Sequence, residues 1–265
     1  MKNNKRAIQS RQMKLLQYLK EQGFAEVAQL ARLFDISPVT VRRDLDALEK
    51  QGYVTRYFGG ARPAAMLQEN DEPAYMETIG QNLAQKQAIA RRAAAMLEDN
   101  DTVFINSSST ALLIYPHITA RSVVIVTNNG RSLMIQRPDN VELVLTGGEA
   151  YGNKQSLVGE FALETLSHIT ATKCILGVSG ISVQGGITSQ VIQETAINRM
   201  MLRRSNGPKI VVTDYTKIGI ERNFSSGSIH DITHLITDSG ADSISLERIR
   251  RAGIAVEVVE PMAEE

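Results

Sequence analysis

Apolar residues in the first fifty positions recur with the period of short amphipathic helices. The pattern predicts a helix over Lys5 to Gln22, whose buried side is formed by Ile8, Met13, Leu15, Leu16 and Leu19. It predicts a second short helix over Ala25 to Phe34, with apolar positions at Val27, Leu30, Ala31 and Phe34. After the connection Asp35-Ile36-Ser37, a third helix carries one apolar stripe of Val41, Leu45 and Leu48. Two short helices joined by about three residues have the spacing of a helix-turn-helix motif.

The third helix has the features of a DNA-recognition helix. Ser37 is a good N-cap, and Pro38 takes the first helical position, where its missing N–H costs nothing. The side away from the apolar stripe is basic near the N-terminal end, where recognition helices reach base edges. The stretch Tyr53 to Phe58 before Gly59-Gly60 predicts a β-hairpin, which makes the motif winged. The predicted DNA contacts are Ser37, Pro38, Thr40, Arg42, Arg43, Lys50 and Arg56, with Arg62 also placed to touch the DNA backbone.

Two other interpretations fit the third helix when it is taken alone. It matches an amphipathic helix with a solvated basic face, and a winged helix can also serve protein contacts. The charge distribution favours DNA, because residues 1–62 carry 12 Lys and Arg against 6 Asp and Glu, a net charge of +6. The remaining 203 residues carry 17 against 23, a net charge of −6. A basic end on a mildly acidic body indicates contact with a polyanion.

Beyond about residue 100, short apolar runs alternate with helical patterns. The predicted strands are Asp101 to Asn106, Ser122 to Thr127, Val141 to Thr146, Lys173 to Val178, Lys209 to Thr213, His234 to Thr237 and Ile254 to Val259. The predicted helices are Glu72 to Glu98, one from Ala111, one from Ser132, Phe161 to Leu166 and Gln193 to Arg204. In the first of these helices, the basic residues Lys86, Arg91 and Arg92 are assigned to one face. The alternation predicts a mostly parallel sheet covered by helices on both faces.

Polar loops follow five of the predicted strands. They are S-S-S-T, T-N-N-G, T-G-G-E, S-G-I and D-Y-T-K, and ligands of open α/β sheets bind beyond the carboxyl ends of strands. Hydroxyls, amides and glycines of this kind cradle a phosphate or hold sugar hydroxyls. Ordinary turn chemistry is the alternative for any single loop, but five loops on one edge favour a polar ligand site. Lys217, three residues after Asp214, is predicted to be the main charge partner of an anionic effector.

Composition limits the class of protein. With 265 residues, 43% hydrophobic and 22% charged, the chain is long enough for two domains with a core. No apolar run approaches the roughly 18 residues of a membrane span, and the N-terminus lacks the apolar core of a signal peptide. We therefore expect no membrane association and a cytoplasmic location. The single cysteine, Cys174, fits a core position in a reducing compartment, and the scattered histidines indicate neither a metal site nor a cofactor.

Two groups of motifs are familiar. The first is the run I-S-P-V-T-V-R-R-D-L, followed by the G-G-A at Gly59 to Ala61. The second comprises T-N-N at Thr127 to Asn129, G-G-E at Gly147 to Glu149, V-G-E at Val158 to Glu160, G-x-S-G-I at Gly177 to Ile181 and D-x-[ST]-K at Asp214 to Lys217. Over roughly residues 6–240, the chain resembles the DeoR family of bacterial transcriptional repressors.

The resemblance implies an α/β protein with three segments: a winged helix-turn-helix domain over 1–62, a linker over 63–75, and an effector-binding and oligomerisation domain over 76–265. It implies a mostly parallel fold, like that of ribose-5-phosphate isomerase and coenzyme A transferases, in the third segment. The implied function is an operator-binding regulator, a repressor of a carbohydrate catabolic operon, modulated by a phosphorylated sugar or sugar acid. A dimer or tetramer is expected, because one small winged helix contacts too few bases. The predicted effector-binding residues are Asn106, Ser107, Ser108, Ser109, Thr110, Thr127, Asn128, Asn129, Gly147, Gly148, Glu149, Ser179, Gly180, Glu194, Asp214 and Lys217.

This chain departs from the family pattern at two positions. The family commonly has D-x-G-T-T where Asn106 to Thr110 stand, and tends to have Asp where Ser182 stands. Two fewer carboxylates predict a less negative pocket and favour an acidic effector. The alternative function is an isomerase-like enzyme on sugar phosphates, with Glu149, Glu194, Asp214 and Lys217 available for acid and base roles. It leaves the DNA-binding half unexplained, so we predict a regulator with no catalytic residues.

Overall fold

The computed structural model describes residues 11–19, 24–50, 53–57, 59–63, 81–152 and 155–261. The chain divides into two units, Met1–Glu69 and Asn70–Glu265. Apart from Pro63, the predicted linker lies outside the described residues, so the boundaries at 62 and 76 stay predictions.

The N-terminal unit is a winged helix-turn-helix. Its elements are α1 over 11–19, β1 (Ala25–Glu26), α2 (Val27–Leu33), α3 (Pro38–Lys50), β2 (Val54–Tyr57) and β3 (Gly60–Pro63). The strands form an antiparallel sheet in the order β1-β3-β2, so the predicted hairpin is confirmed. Asp35 makes the tight turn between α2 and α3 at a φ of 50°, a conformation that Asp tolerates better than most residues.

The core of this unit matches most of the predicted apolar positions. Leu15, Leu16, Leu19, Leu30, Val41, Leu45 and Leu48 are all buried in one cluster. Met13 was predicted to be buried and is 64% exposed, so this assignment is wrong. Residues 5–10 and 20–22 of the predicted first helix, with Ile8, lie outside the described residues. Ala25 and Glu26 form β1 instead of the start of the second helix, because they pair with Ala61 and Gly60.

A seven-stranded parallel sheet is the centre of the second unit. Its strands are β4 (Thr102–Ile105), β5 (Val123–Thr127), β6 (Val141–Leu145), β9 (Lys173–Gly177), β12 (Lys209–Val212), β14 (His234–Asp238) and β15 (Ala255–Val259). The order is β15-β14-β12-β9-β4-β5-β6, and every adjacent pair is parallel. All seven predicted strands are confirmed. The chain builds outward from β4 in one direction and from β9 in the other, so the topological switch point lies between these two strands.

Helices cover both faces of this sheet. On one face, α4 (Leu83–Ala94) and α5 (Ser109–Leu112) pack against residues such as Val103, Ile105 and Ile175. On the other, α6 (Glu160–Ser167), α7 (Ile192–Arg203) and α8 (Ser243–Arg251) pack against residues such as Phe104, Cys174 and Leu176. Adjacent residues of one strand, such as Val103 and Phe104, pack on opposite faces of the sheet, as expected for strands that are buried on both sides. Cys174 is a core residue as predicted, and burial raises the pKa of its thiol.

Several smaller elements differ from the sequence prediction. The helix predicted from Ser132 is instead a 3-10 segment over Gly130–Met134. A hairpin of β7 (Glu149–Tyr151) and β8 (Ser156–Val158) was not predicted, nor was the sheet of β10 (Gly180–Ser182), β11 (Gly186–Ser189) and β13 (Phe224–Gly227). The part of the predicted helix before residue 81 lies outside the described residues. The β7–β8 hairpin and the β10-β11-β13 sheet were missed because their strands are short runs of mixed polarity with little periodicity.

Candidate functional site

The start of α3 is capped as predicted. The Ser37 Oγ accepts a hydrogen bond from the Thr40 backbone N–H at 3.2 Å and lies 2.9 Å from the Thr40 hydroxyl oxygen. Val41, Leu45 and Leu48 turn into the core, so the opposite side of the helix is exposed. Arg42 and Arg43 lie exposed away from the stripe, and Pro38 is exposed in the first turn of the helix. Lys50 ends α3 and Arg56 lies in β2, but their side chains are outside the described part of the chain.

Asp44 joins the recognition helix to α1, a contact that the sequence did not reveal. Its carboxylate is 1% exposed and accepts the Arg11 Nε–H at 2.6 Å and the Gln12 Nε2–H at 3.2 Å. The hydrogen bond to Asp44 raises the pKa of the Arg11 guanidinium. A buried carboxylate with two donors fixes how α3 lies against α1. The orientation of the exposed arginines therefore depends on an aspartate that faces away from them.

A polar cavity of about 100 Å³ lies at the carboxyl edge of the parallel sheet. The loops after β4, β9 and β12 contribute to it, as do α4, β11 and the start of α7, so it sits at the topological switch point where ligands of such sheets bind. The predicted residues that line it are Asn106, Ser107, Ser108, Ser109, Thr110, Ser179, Glu194, Asp214 and Lys217. The lining residues that were not predicted are Gln81, Asn82, Lys86, Gly177, Val178, Thr188, Ser189, Gln190, Asn198, Thr213 and Thr216.

The other predicted effector residues lie elsewhere. Thr127 ends β5, and Asn128 and Asn129 follow it; the Asn128 Nδ2–H donates to the hydroxyl of the cavity residue Ser107 at 3.4 Å. Gly147 and Gly148 form the turn between β6 and β7, and Glu149 is exposed on β7. Gly148 adopts a φ of 100°, and a Cβ there would lie 2.4 Å from the Val158 carbonyl oxygen. Gly180 is buried in β10. The G-G-E motif therefore shapes the β7–β8 hairpin in this structure and does not line the cavity.

Glu194 is the centre of a buried hydrogen-bond network. It lies in the first turn of α7, where the helix dipole favours a carboxylate, and is 8% exposed. Its Oε1 accepts from the Ser156 hydroxyl at 2.7 Å and from the Ser107 hydroxyl at 3.3 Å, and its Oε2 accepts from Ser189 at 3.4 Å. The Ser156 and Ser107 oxygens are 2.6 Å apart. The network orients Glu194, since Oε1 is engaged on the β8 side while Oε2 lies toward the cavity residue Ser189.

Two lysines and one aspartate, Lys86, Lys217 and Asp214, also line the cavity. Asp214 caps the 3-10 segment Tyr215–Lys217 by accepting the Thr216 N–H at 3.0 Å, and its side chain also accepts the Thr216 hydroxyl. Lys217 is half-buried, and Lys86 is 3% exposed. Burial lowers the pKa of Lys86; the Asp214 carboxylate opposes this effect and the Lys217 ammonium adds to it. Lys86 therefore lies within electrostatic reach of both residues.

The grouping of Lys86 with Arg91 and Arg92 on one helix face is wrong. Lys86 is buried at the cavity, Arg91 is exposed, and Arg92 pairs with Glu257 on β15. A lysine in a helical pattern looks like a solvated residue unless the loop that it meets is known. The signal that could have identified it is its place near the start of α4, the end that lies over the ligand edge of the sheet.

The two departures from the family pattern have separate structural roles. The Asn106 Nδ2–H donates to the Gly177 carbonyl at 2.9 Å and to Asn198 Oδ1 at 3.0 Å, and its Oδ1 accepts the Gly177 N–H at 2.9 Å. The Asn106 side-chain amide thus forms two hydrogen bonds with the Gly177 backbone, in the way that the backbone of a neighbouring strand would. In the part of the chain that the structure describes, Ser182 does not line the cavity. Its hydroxyl accepts the Gly185 N–H at 2.8 Å and lies 2.7 Å from Glu221, so the serine caps the β10–β11 turn.

Among the residues that the structure describes, no group of three or more His, Cys, Asp or Glu side chains is arranged to hold a metal ion. None of the helices in that part of the chain has the length and apolar character needed to cross a bilayer.

A winged helix-turn-helix unit and an α/β unit with a polar cavity at its switch point together define a DNA-binding regulator with a sensor domain. A family model described as "DeoR-like helix-turn-helix domain" matches residues 11–65, and one described as "DeoR C terminal sensor domain" matches residues 81–239. The chain belongs to the DeoR family of transcriptional regulators, which confirms the predicted family.

Named relatives agree with this assignment. The HTH-type transcriptional regulator GolR of Listeria innocua is 30% identical over 252 residues, which cover 94% of this chain and 98% of the relative. The glycerol-3-phosphate regulon repressor of Escherichia coli K12 is 28% identical over 229 residues, covering 85% and 88%. Among solved structures, the sorbitol operon regulator SorC of Klebsiella pneumoniae aligns over 96% of both chains at 13% identity, with a TM-score of 0.38. The matching family and the Listeria and Escherichia coli relatives are described as transcriptional regulators, which disfavours the isomerase-like alternative.

Proposed function

We propose that this chain represses a carbohydrate catabolic operon and that a small anionic effector, a phosphorylated sugar or sugar acid, modulates its hold on operator DNA. One observation carries the proposal: the same chain has an exposed pair of arginines on a capped recognition helix and a cavity that contains two lysines among hydroxyls and amides. The name of the Escherichia coli relative supports the effector class, since glycerol 3-phosphate is a phosphorylated polyol.

DNA binding is assigned to α3 and the wing. Arg42 and Arg43 are exposed near the N-terminal end of α3, where side chains of a recognition helix reach the major groove. Arginine contacts guanine through two parallel hydrogen bonds, which makes it the commonest base-reading residue. Thr40 belongs with the two arginines in this proposal, Ser37 and Lys50 are assigned phosphate contacts, Arg56 is assigned a contact with the DNA backbone, and Pro38 lies within the same interface. The exposed position of Ser37 and the capping of Thr40 support this assignment.

Replacement of Arg43 tests the DNA-binding proposal. If Arg43 reads a base, Arg43→Ala weakens operator binding by about 1–3 kcal/mol, roughly 5- to 150-fold, and weakens binding to unrelated duplex much less. Arg250→Ala is the matched control, because Arg250 is an exposed arginine at the end of α8. The affinities are measured by fluorescence anisotropy over a range of salt concentrations, and wild-type affinity falls steeply with salt. Equal operator affinity for Arg43→Ala and Arg250→Ala would exclude Arg43 from base recognition.

The anionic group of the effector is assigned to the lysine end of the cavity. Lys217 ends the 3-10 segment Tyr215–Lys217 that comes after β12, and Asp214 caps this segment. Lys86 comes from α4 and is almost fully buried. Ammonium groups suit a phosphate that backbone amides also hold. Two lysines, Lys86 and Lys217, therefore line the same part of the cavity, which supports the assignment of an anion to it.

The hydroxyl groups of the effector are assigned to the part of the cavity around Glu194. Glu194 is held by Ser156 and Ser107, and a fixed carboxylate is a good acceptor for sugar hydroxyls. The side chains of Ser109, Thr110, Ser179 and Asn198 add further donors and acceptors. Such an arrangement binds a polyhydroxylated anion at both ends and discriminates against inorganic phosphate alone.

The proposal also includes the oligomeric state and the cellular location of the protein. We propose a homo-oligomer, a dimer or tetramer, because paired half-sites supply the base contacts that one winged helix lacks. Light scattering of the complexes from the anisotropy measurement gives the number of chains on one operator, and a single chain would contradict this assignment. We also propose a cytoplasmic location, where operator DNA and sugar phosphates occur together.

A further inference from the structure

Val39 is the most exposed large apolar residue of α3. It is the second residue of the helix, and its side chain is 70% exposed. Arg42 and Arg43 follow it by three and four positions, so the three side chains share one face of the helix. The buried stripe of Val41, Leu45 and Leu48 lies on the other side. Val39 therefore points away from the core, in line with the two arginines.

Exposure alone carries little weight, because single apolar residues are common on protein surfaces. The position of Val39, beside two arginines at the start of the recognition helix, is more informative. A β-branched residue is a poor helix former, and Val39 gains little from burial, so folding of the unit gives no reason for valine here. Its neighbours on the exposed side are the two arginines, whose positive charge complements DNA. In the major groove, the C5-methyl group of thymine is the apolar feature that a side chain can read.

We propose that Val39 contacts the C5-methyl group of a thymine in each operator half-site and is a specificity-determining residue of the protein. The inference rests on the proposed function, in which α3 lies in the major groove. The arginines beside Val39 supply contacts to guanine or phosphate, and Val39 supplies selection for thymine at the adjacent base pair. Loss of contact with one methyl group corresponds to about fourfold in affinity.

Deoxyuridine tests this contact directly, because it differs from thymidine only by the methyl group. Operators are selected from randomised duplexes with the full chain, and each dT is then replaced by dU in turn. The wild-type protein is expected to lose about fourfold in affinity at one thymine of each half-site. Val39→Ala is expected to bind the dT duplex about fourfold more weakly and to lose nothing further with dU at that position. Leu33→Ala removes another exposed apolar side chain, outside α3, and is expected to keep the dU penalty.

The outcomes separate this inference from the proposed function. A Val39→Ala protein that keeps the full dU penalty at every thymine overturns the inference, and so does a wild-type protein that tolerates dU everywhere. Arg43→Ala on the same duplexes reports independently on the helix: if it too binds normally, α3 is not the reading helix and the proposed function fails. Val39→Ala is expected to be at least as stable to heat as wild type, because the side chain packs little within the unit and alanine is the better helix former.

Discussion

Asn106 lies just beyond β4, and its side-chain amide pairs with the backbone of Gly177 on β9. Sequence comparison with the family pattern presented this residue as a lost carboxylate. The structure gives a reason for the amide, because one side chain must both donate to a carbonyl and accept from an N–H. An ionised aspartate accepts but cannot donate. Asn198 completes the arrangement by accepting the second amide hydrogen.

Asn106→Asp tests this interpretation. The carboxylate would face the Gly177 carbonyl and Asn198 Oδ1, which leaves two buried acceptors without donors, and we expect a loss of about 1–3 kcal/mol in the free energy of unfolding. Burial against these two acceptors raises the pKa of the new carboxyl in the folded state, so the loss is largest at neutral pH. It shrinks as the pH falls through that raised pKa, because the protonated form regains a donor.

Urea denaturation at several pH values measures this effect. Asn140→Asp is the control, since the Asn140 amide also donates to a carbonyl, that of Ala120, but the residue is exposed. The control is expected to change the free energy of unfolding by a few tenths of a kcal/mol. Equal stability of the two variants at neutral pH would show that the donor role of Asn106 is unimportant.

At the scale of elements, the sequence was informative where apolar runs are long and uninformative where segments are short. The seven parallel strands were predicted because both of their faces are buried, which gives continuous runs of Val, Ile and Leu. The run F-S-S-G of β13 has no such pattern, and its pairing with β11 depends on tertiary contacts. Helix α8 also escaped prediction, because charged residues dominate it and only Leu246 and Ile249 are buried. The sequence placed the polar loops correctly at the carboxyl edge of the sheet. It did not reveal Lys86, which reaches the cavity from α4, or Ser156, which reaches Glu194 from β8, because these contacts depend on tertiary packing.

The loop that carries Lys217 is held from a neighbouring strand. Asp238, at the end of β14, is 1% exposed, and its carboxylate accepts the Tyr215 N–H at 2.8 Å and the Gly240 N–H at 3.0 Å. We expect Asp238→Asn to lose one of these acceptors and to loosen the segment 214–218. The expected cost is about 1–3 kcal/mol in the free energy of unfolding.

Hydrogen–deuterium exchange of peptides that span residues 214–218 measures this loosening. Asp231→Asn is the matched control, because Asp231 also accepts a backbone N–H, that of Ser228 at 2.7 Å, in a 3-10 segment away from the cavity. Faster exchange is expected in Asp238→Asn and wild-type exchange in the control. If residues 214–218 exchange at the wild-type rate in Asp238→Asn, the carboxylate does not hold the loop.

At the scale of the whole molecule, the chain has two units with different chemistry. Residues 1–62, with a net charge of +6, lie in the first unit, whereas the cavity lies in the second, and residues 63–265 together have a net charge of −6. The side chains proposed to contact DNA and the cavity therefore belong to different units. This division was predictable from the sequence, because charge and motifs change together near residue 62. A regulator of this kind must separate DNA contact from sensing, so variants of the cavity should alter the response to effector and leave operator affinity intact.

The most direct test of this account is the release of operator DNA by Lys217→Ala. Wild-type protein bound to its operator is titrated with a panel of hexose phosphates, pentose phosphates and sugar acids, and the release concentration is measured for each. We expect Lys217→Ala to fold and bind operator normally but to need at least about tenfold more of the releasing compound, since a charged contact is lost. Lys209→Ala is the control, because Lys209 begins β12 at the edge of the sheet away from the cavity, and it is expected to respond as wild type does. Release of Lys217→Ala at the wild-type concentration would contradict the assignment of the anion to this loop.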